Sequence, residues 1–394
     1  MEPKVVSIGT DDGELNFELI DTEVSVANSL RRVALTQIKC LVFRGFPHKE
    51  NLINIIKNTS KFNNEYLKHR IQNVPIFYSE ESNFEAFINQ YEVRVNVVND
   101  TNNLLYVTTE HFTIYDKKTG SPVNSSGQIK SKQIFPPDPL TGHYIALAVL
   151  SPKITEDDII EELTMTIDFS IGCAKEDSCW NMVTKCCYEN KRDSAKLDKF
   201  LKKDPDTVRE YYKNDAVAID TYMKGTMNEY ETTDFKILDG QRFYIKNSFI
   251  MKIESIGVFT NEQIVKKSCD YIISKLIEFN MYTNTNKASI ENVKFNNGSD
   301  YAIFMDKSNT SIIYNLYIPT DDYTIGKIIE TYLYTMFNKD IFYVSFKKEH
   351  PHDKHCYVMF SYNEEEITFE RIISNLRSVS EELIRIYQSI SSKF

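Results

Sequence analysis

Four cysteines lie close together and form the densest group of potentially reactive side chains in the sequence. They are Cys173, Cys179, Cys186 and Cys187. Successive members are separated by five, six and no residues, whereas structural zinc favours paired CxxC knuckles. The first thiol continues a predicted strand, and the last two run directly into Tyr188. The pattern favours buried free thiols, and a zinc- or thiol-dependent enzyme remains the alternative.

Three histidines in HPHDKH form a second group, which consists of His350, His352 and His355. They are close together in a predicted loop, and no acid–histidine geometry is implied. The acidic pairs at Asp11–Asp12 and Asp321–Asp322 occur at predicted turns or helix starts, where capping explains them better than metal binding. The sequence has no P-loop and no glycine-rich phosphate cradle. We therefore predict no catalytic residue, no cofactor and no metal.

Composition narrows the class of protein. The chain has 394 residues, of which 42% are apolar and 26% charged, as in soluble globular proteins of two or three domains. A formal net charge of −10 argues against a surface that grips nucleic acid directly. Seven cysteines at irregular spacing favour a reducing compartment. The start MEPKVVSIGTDDGE has no apolar signal core, and no apolar run is long enough to span a bilayer.

A short amphipathic helix near the start carries a pair of arginines. Its apolar positions follow helical spacing, and they are Val26, Ala27, Leu30, Val33, Ala34 and Ile38. At about 100° per residue, Asn28 and Arg32 lie opposite this stripe, and Arg31 lies on its flank. This second face is either a solvated back or a docking face, since arginine pairs bidentately with carboxylates and is enriched at interfaces.

The elements around this helix change character along the chain. Two strands, KVVSIG and LNFELI, precede it across the turn TDDG, and the strand CLVFRGF follows. Residues 47–180 are predicted to be a mainly β unit, residues 188–234 a charged helical excursion, and residues 261–279 a helix followed by the linker-like NMYTNTNKAS. The 47–180 unit is predicted to contain a short helix that stops near Pro75 and the strands QYEVRVNVVND, LLYVTTEHFTIYD, HYIALAVL and ELTMTIDFSIGCA.

The last hundred or so residues repeat the opening pattern of strand, polar cap, helix and strand. The segments are SIIYNLYI, a helix within TDDYTIGKIIETYLYTMF, and IFYVSFKKEH. A small residue recurs at one matched position, which allows close backbone approach. The matched pairs are Val26 with Ile325, Ala27 with Gly326, and Leu30 with Ile329. We predict an α+β pseudo-dimer of two such units in one chain.

A long terminal helix and the 261–279 helix are predicted to pair. The terminal helix alternates apolar steps of three and four, a heptad seam that needs a partner. The 261–279 helix has its own apolar stripe. The residues predicted to form the intrachain dimerisation helices are Ile264, Ile272, Leu276, Ile372, Leu376, Val379, Leu383 and Ile386.

Several of these segments resemble the assembly subunits of multisubunit RNA polymerases, namely the bacterial α subunit and eukaryotic subunit three. The most specific part is ANSLRRV, within FELIDTEVSVANSLRRVALTQIKCLVF. The segments HRIQNVPI, GCAKEDSCW and FIMKIESIG are similar to further motifs of the family, in family order. Near the end, DDYTIGKIIETYL and VSFKKEHPHDKHCYVMF resemble subunit eleven, with Tyr323 where histidine is usual. Residues 188–234 match poorly.

The resemblance implies a fold organisation and a role. It divides the chain into a subunit-three-like dimerisation domain (1–46 and 181–282), an inserted mainly β domain (47–180) and a subunit-eleven-like dimerisation domain (283–394). It implies a non-catalytic scaffold that docks the largest and second-largest polymerase subunits, with small zinc-bearing subunits nearby and DNA contacted only through the complex. By resemblance, the docking residues are Asn28, Arg31, Arg32, His69 and Arg70.

The resemblance also bears on origin. A fused three–eleven subunit is what the polymerases of large nucleocytoplasmic DNA viruses carry, and abundant Asn, Lys, Ile and Tyr fits an AT-rich genome. This implies viral transcription, with the protein in the host cytoplasm (the viral factory) and in the virion, and not in a membrane. The family's four-cysteine zinc site is expected to be absent, because no cysteine lies between Cys40 and Cys173.

Overall fold

A computed structural model describes most of the chain as two compact units. The described residues are 3–123, 130–155, 159–284, 290–291, 301–307, 312–320, 323–364 and 367–394. The first unit consists of the residues up to 31 with residues 186–253 and 272–394, and the second of residues 32–185 and 254–271. The predicted division into three domains stays a prediction. The acidic pair Asp321–Asp322, predicted to cap a helix, lies outside the described residues.

Strands and helices both contribute to each unit. The strands are β1 (Lys4–Asp11), β2 (Glu14–Ile20), β3 (Cys40–Phe43), β4 (Ile53–Asn58), β5 (Tyr91–Asn99), β6 (Leu105–Thr108), β7 (Thr113–Asp116), β8 (Ala146–Leu150), β9 (Glu161–Gly172), β10 (Val183–Arg192), β11 (Tyr244–Ser255), β12 (Ile290–Glu291), β13 (Ala302–Lys307), β14 (Ile312–Ile318), β15 (Ile341–Lys347) and β16 (Cys356–Tyr362). The helices are α1 (Val24–Thr36), α2 (Asn64–Gln72), α3 (Phe84–Gln90), α4 (Ser131–Ile134), α5 (Ser194–Leu201), α6 (Pro205–Tyr211), α7 (Ala216–Lys224), α8 (Glu229–Ile237), α9 (Asn261–Asn284), α10 (Tyr323–Phe337) and α11 (Phe369–Ser391).

The first sheet of the first unit has the order β1-β2-β11-β10. Asp12 and Gly13 both have positive φ, 47° and 81°, as a two-residue turn joining antiparallel strands requires. The predicted hairpin is therefore confirmed. Alternate residues of β2 are buried, so one face of this sheet is apolar.

The second sheet of the first unit has the order β12-β13-β14-β16-β15 and lies beside α10. Asn375 of α11 donates a hydrogen bond to the Tyr362 hydroxyl of β16 at 3.0 Å. Within α10, a Cβ at Gly326 would overlap the ring of Phe346, so glycine permits this close approach of helix and strand. The predicted small-residue position of the repeat thus has a steric reason in this half.

Helix α11 buries its heptad seam in the first unit and contacts several elements. Its Tyr387 lies 2.5 Å, oxygen to oxygen, from the buried Ser29 hydroxyl of α1. Arg377 donates to the carbonyl oxygen of Thr283 in α9 (3.0 Å). The ring of Phe394 packs edge-on against Phe17 of β2 at 4.9 Å. The C-terminal helix is thus fastened to the N-terminal strand and helix, and at one point to the helix predicted as its partner.

The central strand of the second unit is β9, which pairs with β3, β4 and β5. Its alternate residues Leu163, Met165, Ile167 and Phe169 are at most 1% exposed, as expected for a strand with one face on an apolar core. At its end, a Cβ on Gly172 would come within 2.6–2.8 Å of ring carbons of the buried Trp180. The first and last residues of GCAKEDSCW are therefore in direct contact.

The predicted α+β class is confirmed, with corrections to individual elements. The segment LLYVTTEHFTIYD is two strands, β6 and β7, because a 3₁₀ turn at Thr109–His111 interrupts it. Helix α9 continues to Asn284 rather than to about 279. Strand β10 continues to Arg192, so the helical excursion begins five residues later than predicted. Among the described residues, none of the helices combines the length and apolar content that a bilayer span requires.

Replacing Gly172 by alanine should destabilise the second unit. Alanine is normally the better strand residue, but here the added methyl group must displace Trp180, and overpacking costs about 1–3 kcal/mol. Thermal unfolding should show a midpoint lowered by several degrees. The matched control is Gly9→Ala in β1, where nothing lies within 4 Å of the added Cβ. Equal midpoints for the two variants would contradict the steric role of Gly172.

Candidate docking surface

Helix α1 has one buried face and one half-buried polar face. Its predicted stripe residues from Val26 to Ala34 are at most 2% exposed, so the helical period is confirmed there. Ile38, predicted on the same stripe, is buried but lies beyond the end of the helix at Thr36. Asn28, Arg31 and Arg32 are half-buried. The Nε of Arg31 donates to Asn28 Oδ1 at 3.0 Å. The structure therefore brings together two of the residues predicted to dock a partner and gives them a fixed mutual orientation.

The charge of Arg31 also affects a neighbouring thiol. Burial raises the pKa of Cys186 to about 12, and the positive charge of Arg31 acts in the opposite direction. Arg31 is half-buried, so it lies at the border between the apolar core and the polar face of α1.

The other two predicted docking residues lie on α2 in the second unit. His69 is exposed and stacks on the ring of Phe46, with centroids 3.9 Å apart. Arg70 donates to the carbonyl oxygen of Ala146 at 2.6 Å, and its guanidinium lies 5.8 Å from the ring of Tyr66. These contacts give Arg70 a structural task in fastening α2 to β8.

A buried glutamine on α2 joins three chain segments, and the sequence reasoning did not single it out. Gln72 is 4% exposed. Its Oε1 accepts from the backbone N–H groups of Gly45 (3.1 Å) and Phe46 (3.2 Å). Its Nε2 donates to Asp177 Oδ2 at 2.6 Å. Because a buried amide is costly unless it is hydrogen-bonded, the segments HRIQNVPI and GCAKEDSCW must meet here.

Arg44 is a second connecting residue that the sequence did not reveal. Its Nη2 donates to Glu176 (2.7 Å) and to the carbonyl oxygen of Ile171 (3.1 Å), and Nη1 donates to Glu50 at 3.1 Å. The guanidinium lies over the ring of Trp180, 4.7 Å from its centroid. In the sequence, Arg44 is simply an arginine directly after the buried strand CLVF, and a side chain at such a position is usually predicted to be exposed to solvent.

The residues predicted for the dimerisation helices are all buried, at most 2% exposed. Ile264 lies in the second unit and the rest lie in the first. Their burial agrees with the predicted stripes. A hydrogen bond from Arg377 to the carbonyl oxygen of Thr283 connects α11 to α9, and pairing of the individual apolar residues stays a prediction.

The cysteine cluster is not arranged as a metal or nucleophile site. Within the described ranges, no three His, Cys, Asp or Glu side chains converge as a metal-binding group. Burial raises the pKa of two members of the cluster, Cys179 to about 11 and Cys186 to about 12. A raised pKa leaves little thiolate, which is the nucleophilic and metal-binding form.

The histidine group is divided between two surroundings. His350 accepts a hydrogen bond at Nδ1 from the backbone N–H of His352 (3.2 Å), which accounts for this nitrogen within its own loop. His355 instead packs against the rings of Tyr317 and Tyr357, with centroids 5.3 and 5.5 Å away. The zinc- or thiol-enzyme alternative therefore gains no support from either cluster.

Comparison with known proteins relates the chain to RNA polymerase subunits. The RNA polymerase Rpb3/Rpb11 dimerisation domain matches residues 16–276. The chain is 24% identical over 289 residues to the DNA-directed RNA polymerases I and III subunit rpac1 of Dictyostelium discoideum, which covers 69% of this chain and 79% of that protein. It is 32% identical over 74 residues to the DNA-directed RNA polymerases II, IV and V subunit 3 of Arabidopsis thaliana, which covers 19% of this chain and 21% of the plant subunit.

The matched range includes α1, α2, the Gly172–Trp180 contact and most of α9. It ends before α10 and α11, so the resemblance of the last hundred residues to subunit eleven stays a prediction. Since the match extends over more than half of the sequence, this chain belongs to the RNA polymerase Rpb3/Rpb11 dimerisation-domain family.

Proposed function

We propose that this protein is a non-catalytic assembly subunit of a DNA-directed RNA polymerase and that it docks the two large catalytic subunits. The observation that carries the proposal is the family match over residues 16–276, which includes the helix with the arginine pair. The relatives at 24% and 32% identity are themselves named as polymerase subunits. Small zinc-bearing subunits are further proposed partners, and DNA is contacted through the complex.

The proposed assembly subunit is a fusion of a subunit-three-like and a subunit-eleven-like half. Residues up to 31 and residues 272–394 group into one compact unit. The Ser29–Tyr387 and Phe17–Phe394 contacts join its N-terminal and C-terminal parts. Covalent fusion holds the second half at high effective concentration, so pairing needs no bimolecular step. Polymerases of large nucleocytoplasmic DNA viruses carry a fused subunit of this type, and we propose such a virus as the source. The proposed locations of the protein are the host cytoplasm and the virion.

The proposed docking residues are Asn28, Arg31 and Arg32 on α1 and, as a separate contact in the second unit, the exposed His69 on α2. The Asn28–Arg31 hydrogen bond orients the guanidinium before a partner binds, which lowers the ordering cost of association. Arg70 already donates to Ala146 and is proposed as a positioning residue for α2 rather than as a contact.

Charge reversal at Arg32 should prevent docking without unfolding the chain. A glutamate there would face the carboxylates of the partner, and like charges across an interface cost several kcal/mol. Tagged Arg32→Glu should be recovered without the two large chains that accompany the wild-type protein. The control is Arg192→Glu, the same change at an exposed arginine. Normal recovery of both large chains by a folded Arg32→Glu variant would show that this arginine is merely solvated.

The two halves should recognise each other as separate chains. Residues 1–284 and 290–394, co-expressed with one tag, should purify together. Leu383→Asp should abolish this, because Leu383 is fully buried and burying an unpaired carboxylate is strongly unfavourable. Ser374→Asp, on the exposed side of the same helix, should leave recovery unchanged. Co-purification that tolerates Leu383→Asp would refute the pairing of the halves through this seam.

Thiol reactivity distinguishes the scaffold from the thiol-enzyme alternative. At pH 8 the raised pKa values of Cys40 and Cys186, about 12 each, keep these thiols protonated. Alkylation by iodoacetamide should therefore be slow in the native chain and fast after denaturation, as followed by mass spectrometry. A native thiol in the Cys173–Cys187 group that reacts faster than free cysteine, or stoichiometric zinc in the purified protein, would favour the enzyme alternative.

A further inference from the structure

The helical excursion is a separate module inserted at the end of a hairpin. Strands β10 and β11 are neighbours in the first sheet. The backbone N–H of Asp193 donates to the carbonyl oxygen of Phe243 at 2.9 Å. The chain therefore leaves and re-enters the hairpin at adjacent residues, and everything between them takes the place of a turn.

The module has its own core. Phe200, Val208 and Phe243 are at most 4% exposed, with half-buried apolar side chains from all four helices around them. Phe200 stacks on Phe235 of α8 at 5.1 Å. The Tyr222 hydroxyl donates to the carbonyl oxygen of Phe200 at 3.1 Å. These contacts account for the inner faces of the helices without any help from the sheets.

Each helix of the module also begins at a capping side chain. The carboxylates of Asp193, Asp204 and Asp215 accept from first-turn N–H groups of α5, α6 and α7. Asn228 and Glu231 form a reciprocal capping box at the start of α8. Such caps contribute roughly 0.5–2 kcal/mol each, and so α8 has a defined position on the module.

The outward face of α8 is apolar and uncovered. Tyr230 is 84% exposed, Ile237 56% and Leu238 69%. At about 100° per residue, Tyr230 and Ile237 lie on one side of the helix and Phe235, which packs inward, on another. Large apolar side chains with this much exposure are more typical of an interaction surface than of a helix that faces only water.

The charges around this face identify the chemistry of its partner. Between positions 227 and 239 the acidic residues are Glu229, Glu231, Asp234 and Asp239, and the basic residue is Lys236. Asp239 is ion-paired with Arg242 at 3.3 Å, so the acidic excess comes from the other three carboxylates. Phosphate backbones would be repelled by this excess, which disfavours nucleic acid as the partner. A second copy would place the same carboxylates opposite one another, which is also unfavourable. Charge complementarity leaves a protein surface with lysine or arginine around an apolar centre.

We propose that the excursion is a docking module, and that the face formed by Tyr230, Asp234, Ile237 and Leu238 binds a basic, apolar surface of another protein. This contact is separate from the α1 docking face and does not depend on it. Rim carboxylates steer the basic partner, and the three apolar side chains supply the burial.

Site-specific photo-crosslinking in the full chain tests this contact. Benzoylphenylalanine replaces Tyr230 in the cell that makes the protein, and crosslinked peptides are sequenced by mass spectrometry. We expect one defined partner whose crosslinked segment carries lysine or arginine. Asp234→Lys should lower the yield about tenfold, equivalent to about 1.4 kcal/mol of binding free energy. The same reporter at Val217, which is 78% exposed on α7, should give no comparable product.

Several outcomes would overturn the proposal. The first is that the reporter at position 230 gives no crosslink, or gives the same products as the reporter at position 217. The second is a crosslink to a second copy of the chain or to nucleic acid. A crosslinking yield that Asp234→Lys leaves unchanged would also contradict the proposal. A second variant, in which Asn-Gly replaces residues 194–242, guards against misfolding as the explanation. It should keep the thermal unfolding of the remaining chain and lose only the α8 partner; unfolding of the whole chain would contradict a separate module.

Discussion

Burial of the apolar stripe of α1 is the constraint on which the rest of the structure depends. The boundary between the two units falls within this helix, so each unit buries its own part of one stripe. Val26, Ala27 and Leu30 belong to the first unit and Val33 and Ala34 to the second, and all five are at most 2% exposed. A shift of one residue would turn polar side chains into both cores. The same constraint fixes which face carries Asn28 and the two arginines.

In the second unit, hydrogen bonds of polar side chains hold distant segments in place, as burial of the apolar stripe does for α1. Gln72 and Arg44 are each bound to more than one distant segment. Removing one partner of such a buried group costs more than the bond itself contributes, because the remaining group is left unsatisfied. The residue order of HRIQNVPI and GCAKEDSCW therefore reflects one interlocked arrangement rather than two independent motifs.

The sequence was sufficient to predict those helices and strands whose apolar residues recur with the period of the element itself. The apolar stripes of α1 and α11 could be recognised in the sequence, because period and burial coincide there. The end of α9 could not be, since its Asn- and Thr-rich tail has the composition of a linker. Thr283 is nevertheless only 3% exposed, and its hydroxyl donates to the carbonyl oxygen of Asn280. Docking against Arg377 of α11 overrides the local propensity.

The contacts of the candidate docking residues were harder to predict from the sequence than the fold, because they depend on residues far apart in the chain. Periodicity placed Asn28 and Arg32 on one face, but it could not show that Arg31 is held by Asn28. It could not distinguish Arg70, which is bound to Ala146, from an exposed histidine beside it. Gln72 escaped notice because its partners lie 26 and 105 positions away. Contacts of that range leave no periodic trace in one sequence.

The closure of the module at Asp193 and Phe243 has a kinetic consequence. If the intervening chain were a random coil, β10 and β11 could pair only by closing a loop of about 50 residues, and each doubling of loop length costs about 0.6 kcal/mol. The helices between them are joined mainly by local contacts, the kind that form fastest. Once the four helices have packed around Phe200, the ends of β10 and β11 are already adjacent. The two strands can then pair as though their connection were a few residues long.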